Sequence, residues 1–189
     1  MHRLAACEQH IRDFVNGREL FDRHFVGHRD EWNRLTVAMD TLGDSAEALE
    51  HFEREGFGSA LGKRYLLFYG TLQALILQQE SIRTLYTIFC GKPLDTATSS
   101  GWKRIREIRN LSAGHPLDKR GSKTTGDLRV FVSRPTISEK GFDLIICEEQ
   151  TSQTRIESVD LESPYHSYKE EALGHLADVE AAQRRRWPE

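Results

Sequence analysis

The sequence predicts a mainly α protein: a helical bundle around one long buried helix, with a small three-stranded antiparallel β meander inserted before the C-terminal helix. Three observations carry this. The first proline is Pro93, and apolar residues recur every three or four positions over much of the chain before it. Between about 117 and 161 the period falls to two. A final stretch opening at Ser163-Pro164 returns to helical spacing. At 189 residues and 38% hydrophobic content the chain can bury a core of its own. A single domain over 1–189 is expected, with the helical bundle at 1–116, the β meander at 117–161 and the last helix at 162–189.

In the first fifty residues, Leu4, Ile11, Val15 and Phe21, then Trp32, Leu35 and Met39, fit two or three amphipathic helices. Thr41-Leu42-Gly43-Asp44-Ser45 reads as a helix end and a new start, with Asp44 or Ser45 as cap and a short helix to about Glu55. From Ser59 to Cys90, Leu61, Tyr65, Phe68, Leu72, Leu75, Ile82, Tyr86 and Phe89 mark the central helix, which Gly91 and Pro93 end. After a polar turn, Trp102, Ile105, Ile108 and Leu111 make a stripe that should dock on the bundle, and this helix should stop at Gly114 or His115 because Pro116 follows. Leu128, Val130 and Val132 alternate, as do Phe142, Leu144 and Ile146, and Ile156–Leu161 supplies the third strand. Tyr165, Tyr168, Ala172, Leu176 and Val179 mark the last helix, and Arg184-Arg185-Arg186-Trp187 reads as a solvated, frayed tail.

Composition narrows the functional classes. Three cysteines far apart suggest neither a disulfide framework nor a zinc site, and no histidine belongs to a cluster with metal spacing, so no metal and no cofactor are expected. Neither a dinucleotide nor a P-loop glycine pattern occurs. The longest apolar run, Tyr65 to Leu77, falls short of the roughly twenty residues a membrane span needs. With no leader pattern at Met1–Glu8, a cytoplasmic protein without membrane contact is expected. Net charge is −3, yet residues 103–134 hold nine basic side chains against three acidic ones, a local balance of +6. Such a run is most often a solvated face; here it overlaps the most distinctive motif in the chain.

That motif is Arg109-Asn110-Leu111-Ser112-Ala113-Gly114-His115-Pro116. An arginine a few residues before a histidine is a loose pattern, and Arg3 to His10, Arg18 to His24 and Arg23 to His28 match it too. Context separates Arg109 from them, because only it lies on a late helix that follows the long buried one, ends at glycine and proline, and sits in the basic segment. In that setting R-N-x-x-x-G-H-P resembles the signature of the HEPN superfamily (higher eukaryotes and prokaryotes nucleotide-binding). In architecture the resemblance runs from about 59 to 161, as a branch with a small β insertion.

The resemblance implies a metal-independent endoribonuclease of a toxin–antitoxin or defence system, acting as a homodimer in which two motifs meet, with RNA as substrate and a cognate protein antagonist as partner. It implies Arg109, His115 and Asn110 as the catalytic set. The chemistry is sound: cleavage of RNA by its own 2′-hydroxyl needs a group that moves protons and a cation on the phosphate. Imidazole titrates near neutrality, and the end of a helix favours its protonated form. Guanidinium stays charged and grips two phosphate oxygens at once. Asn110 can orient Arg109 or bond the phosphate. Lys103, Arg104, Arg106, Lys119 and Arg120 are the expected RNA contacts, and Gln73, Gln78, Gln79, Glu80 and Arg83 on the long helix can face the motif. On a regular helix Arg109 and His115 point about 120° apart, so convergence needs the helix to end near Gly114 or a second subunit. Two bland readings stand beside this: a HEPN-like RNA- or nucleotide-binding or regulatory partner without catalysis, and a structural interaction protein in which Arg109 merely pairs with a carboxylate such as Glu80.

Overall fold

A computed structural model of the chain describes residues 1–58, 60–114, 119–120 and 126–188, with only the backbone of Leu61, Lys119 and Arg120. The fold is mainly α with a β meander before the C-terminal helix. Helices α1 (His2–Gly17), α2 (Arg29–Glu55), α3 (Leu61–Cys90), α4 (Ser100–Arg109) and α5 (Glu162–Arg186) pack together, and strands β1 (Lys119–Arg120), β2 (Asp127–Val132), β3 (Gly141–Glu148) and β4 (Thr154–Asp160) follow α4. The sheet order is β1-β2-β3-β4, antiparallel throughout. Beyond the three expected strands, then, two residues of β1 add a fourth, pairing with Asp127 and Leu128. No helix among the described residues is long and apolar enough to cross a membrane.

The central helix α3 packs against α2, α4 and α5. It runs about 45 Å at 1.5 Å per residue and buries Phe68, Leu72, Leu75, Ile82 and Leu85 completely. Each such side chain contributes roughly 1.5–3 kcal/mol of transfer free energy. Its C-terminus closes as expected on Gly91, whose φ of 69° is the left-handed cap a glycine adopts at least cost.

Two expectations are overturned. No break occurs at Thr41–Ser45: α2 is continuous from Arg29 to Glu55. Leu35, Met39, Leu42, Ala46 and Leu49 form one buried stripe, which outweighs the roughly 1 kcal/mol that a mid-helix glycine costs. Ser45 bonds back to the Leu42 carbonyl instead of capping, and Gly43 faces the side chain of Glu8 on α1. Nor is the Arg184–Trp187 tail frayed. Trp187 is buried against Phe25 and Phe89, and Arg186 donates to the Ile88 carbonyl at 2.8 Å while lying over the Trp187 ring.

The sheet covers the bundle with the face that carries Val130, Val132, Phe142, Leu144, Ile146 and Val159, all buried. Phe142 meets Phe68 edge-on at 4.7 Å between centroids, which ties β3 to α3. The opposite face holds Phe131, Ile145 and Ile156 in one cross-strand row, with Phe131 and Ile156 exposed.

Helix α4 is short, and its position is set from α5. No side chain caps it locally; both carboxylate oxygens of Glu171 accept from the backbone amides of Gly101 and Trp102, at 3.0 and 2.8 Å. A carboxylate there satisfies two orphan donors and complements the helix dipole. Glu171→Ala is expected to cost about 2 kcal/mol, which chemical denaturation would read as a lower midpoint at unchanged slope.

Candidate functional site

The apolar stripe expected on α4 is present: Trp102, Ile105, Ile108 and Leu111 are all 5% exposed or less. Fixing those side chains in the core fixes which way the intervening arginines point. Regular helix ends at Arg109, and Asn110–Gly114 continues as a π-turn, with Ser112 donating back to the Ile108 carbonyl at 2.6 Å. π-turns are rare and cluster at functional sites. This one begins at the Arg-Asn pair.

Arg109 is half-buried and held by two neutral amides. Its guanidinium donates to Gln73 Oε1 on α3 and to Asn110 Oδ1, both at 3.2 Å. No carboxylate of the described residues forms an ion pair with it. The other two arginines of the helix differ. Arg104 bonds Glu107 and Glu157 at 2.9 and 3.1 Å, and Arg106 bonds Glu80 and Gln79 at 2.5 and 3.2 Å. Burial pushes the Glu157 carboxyl up, but Arg104 and Arg155 outweigh it and hold the group below its usual range. Glu80, the carboxylate expected to neutralise Arg109 in a purely structural role, is taken by Arg106.

The competing arginines have other partners, although Arg23 too lies on a π-turn, Phe21–Phe25. Arg3 sits 3.7 Å from Glu170 and Arg23 3.7 Å from Glu19, both exposed, and Arg18 donates to the Pro188 carbonyl. Local spacing therefore fails to distinguish the four, whereas the exposed ion pairs of Arg3 and Arg23 set them apart from Arg109.

Of the long-helix residues expected to face the motif, Gln73 reaches it through Arg109, whereas Gln79 and Glu80 bond Arg106 one turn earlier on α4. Gln79 also donates to the Trp102 carbonyl at 3.0 Å, which pins the start of α4 to α3. Gln78 turns the other way and accepts from Tyr168 on α5. The Arg83 side chain makes no hydrogen bond or ion pair among the described residues. Lys103 is exposed and donates to the Ala97 carbonyl at the loop before the helix. Lys119 and Arg120 lie on β1. His115 lies outside the described residues.

The structure thus brings Arg109, Asn110 and Gln73 together and pairs Arg104 and Arg106 with carboxylates. Chemically, a guanidinium oriented by amide oxygens keeps its full charge and leaves part of its donor fork for an outside anion. The amide nitrogen of Asn110, with no acceptor among the described residues, is a further donor beside it.

The neighbouring surface of α3 is unusual. Leu66, Tyr69 and Leu77 are 73%, 45% and 42% exposed, and they share one helical stripe with exposed Gln73 at spacings of three and four. Val37 of α2, 63% exposed, borders the same strip beside Leu77. No protein-family model matches the chain, and no curated protein or solved structure matches it.

Proposed function

We propose that this protein is a HEPN-like, metal-independent endoribonuclease that works as a homodimer. The observation that carries the reading is the set of partners of Arg109. A structural arginine in a helical bundle gains most from a carboxylate, as Arg104 and Arg106 do. Arg109 is instead aimed by Gln73 and Asn110 and meets no carboxylate among the described residues. Such a group is suited to the dianionic transition state of phosphodiester cleavage, which a fixed cation stabilises more than the monoanionic ground state. His115, six positions on, supplies the proton transfers, and Asn110 orients Arg109 in addition to facing the phosphate.

Exposed Leu66 and Leu77, on the stripe that carries Gln73, support the dimer, since large apolar side chains grouped on one face mark interaction surfaces. Pairing two copies over that strip brings the two Arg109 groups to a shared cleft. Leu66→Glu with Leu77→Glu puts like charges into that contact. The double variant is expected to run at monomer mass in light scattering, remain folded, and lose RNA cleavage. A wild-type protein that is itself monomeric at micromolar concentration would remove the dimer from the proposal.

A further inference from the structure

Beside the motif lies a cleft of about 500 Å³ between α3, the π-turn and β2, a volume in the range of small-ligand sites. It is lined by Tyr65 and Tyr69 of α3, Ser112 of the π-turn, Val130, Val132 and Arg134, and along the β2 edge by Arg129 and Phe131, whose side chains lie on the outer face of the sheet. Among the described residues no carboxylate lines it. We propose that this cleft is a single-stranded RNA subsite, in which a nucleobase next to the scissile phosphate stacks on the rings and Arg129 and Arg134 hold the flanking backbone. The inference rests on the ribonuclease reading and deepens it.

Three observations support it. The first is ring exposure. Phe131 is 51% and Tyr69 45% exposed, and Tyr65 lies nearly parallel to Tyr69 at 6.2 Å, so flat apolar faces meet water at a place where a folded protein gains nothing from them. Bases supply the matching faces, and stacking tolerates any base. Bases inside a duplex are hidden from such rings, which selects single strands.

The second is charge. Arg134 is exposed and has no ion-pair partner among the described residues, and Arg129 has one distant contact there, 3.9 Å from Glu149. Unlike Arg104 and Arg106, these two arginines keep their charge for phosphate.

The third is position. Tyr69 precedes Gln73 by one helical turn on α3, Gln73 holds Arg109, and Ser112 follows Arg109 in the motif. A strand whose phosphate lies on Arg109 has its next nucleotide within reach of the cleft. Among the described residues, β2 has no strand partner on its other edge beyond Leu128, so the backbone groups of Val130 and Val132, which point away from β3, are open there.

Phe131→Ala, Arg134→Gln and Phe131→Trp alter exposed side chains away from the α3 strip. Binding and cleavage of a fluorescent twelve-nucleotide RNA without secondary structure would be measured for each in EDTA, together with molecular mass and melting temperature. Phe131→Ala is expected to raise Kd and KM about tenfold with kcat little changed, and Phe131→Trp to restore both. Arg134→Gln is expected to weaken binding and to reduce the slope of log Kd against log salt by about 0.7. Wild-type KM and Kd in Phe131→Ala and Arg134→Gln, in a wild type that cuts RNA, would overturn the subsite and leave the ribonuclease reading standing. Absence of both binding and cleavage in the wild type would overturn the two together. Loss of affinity that merely follows a fall from dimer to monomer mass would make the cleft a subunit contact instead.

Discussion

Arg109→Lys is expected to leave the fold and the melting temperature intact and to lower RNA cleavage by about a hundredfold or more, the scale seen when one preorganised transition-state donor is removed. The substitution keeps the charge, so a simple electrostatic role would survive it. What it removes is the planar fork. Gln73 and Asn110 each occupy one terminal nitrogen of the guanidinium from a different direction; an ammonium on a flexible stem cannot satisfy both and present donors to two phosphate oxygens at once. The loss should fall on kcat more than on KM, because the interaction strengthens as charge develops. Gln73→Ala is the milder relative: Arg109 keeps its charge and loses its aim. Equal single-turnover rates for wild type and Arg109→Lys would show that the guanidinium geometry is idle.

The largest effect on stability is expected at Gly101. A Cβ placed there would lie 2.4 Å from the backbone nitrogen of Tyr168 and 2.8 Å from Ser167 Cβ on α5. Neither neighbour is the loose end of a flexible side chain, so α4 itself must move. Moving it weakens the two Glu171 bonds and unseats fully buried Trp102. Gly101→Ala is therefore expected to destabilise by about 3 kcal/mol, a fall in Tm of roughly 10 °C. It should also reduce activity in the fraction that folds, since the same helix carries Arg109. Gly174→Ala provides the opposite sign. That glycine lies inside α5, and a Cβ added there would have nothing within 4 Å, so alanine should stabilise by about 0.5–1 kcal/mol. Differential scanning fluorimetry of the pair checks both directions.

The central helix, the motif helix and the meander were legible in the sequence because each shows an uninterrupted period and ends on a residue with its own backbone preference, such as Gly91. The supposed break at Gly43 misled because a local turn signal gives no measure of burial; Glu8 and the stripe through Leu42 come from packing between α1 and α2. Trp187 reads as solvated in sequence because its partners, Phe25 and Phe89, lie far away along the chain.

The site divides in the same way. Arg109 and Asn110 were legible as a motif. The basic segment as a whole was not a guide to available charge, since Glu80 and Glu157, which neutralise Arg106 and Arg104, lie outside it. Arg129 and Arg134 belonged to that segment, but nothing local ties them to Tyr65 and Tyr69. Only the fold, which sets β2 beside α3 and the π-turn, brings those residues to one cleft.

The proposed activity requires that this chain cut RNA by proton transfer and guanidinium stabilisation, without a metal. The decisive experiment is single-turnover cleavage of a short RNA in EDTA by wild type and by His115→Ala. The expected result is a wild-type rate unaffected by the chelator, a product ending in a 2′,3′-cyclic phosphate, and a rate at least about a hundredfold lower in His115→Ala. A His115→Ala protein that cuts as fast as wild type, or a wild-type activity that disappears in EDTA, would contradict it.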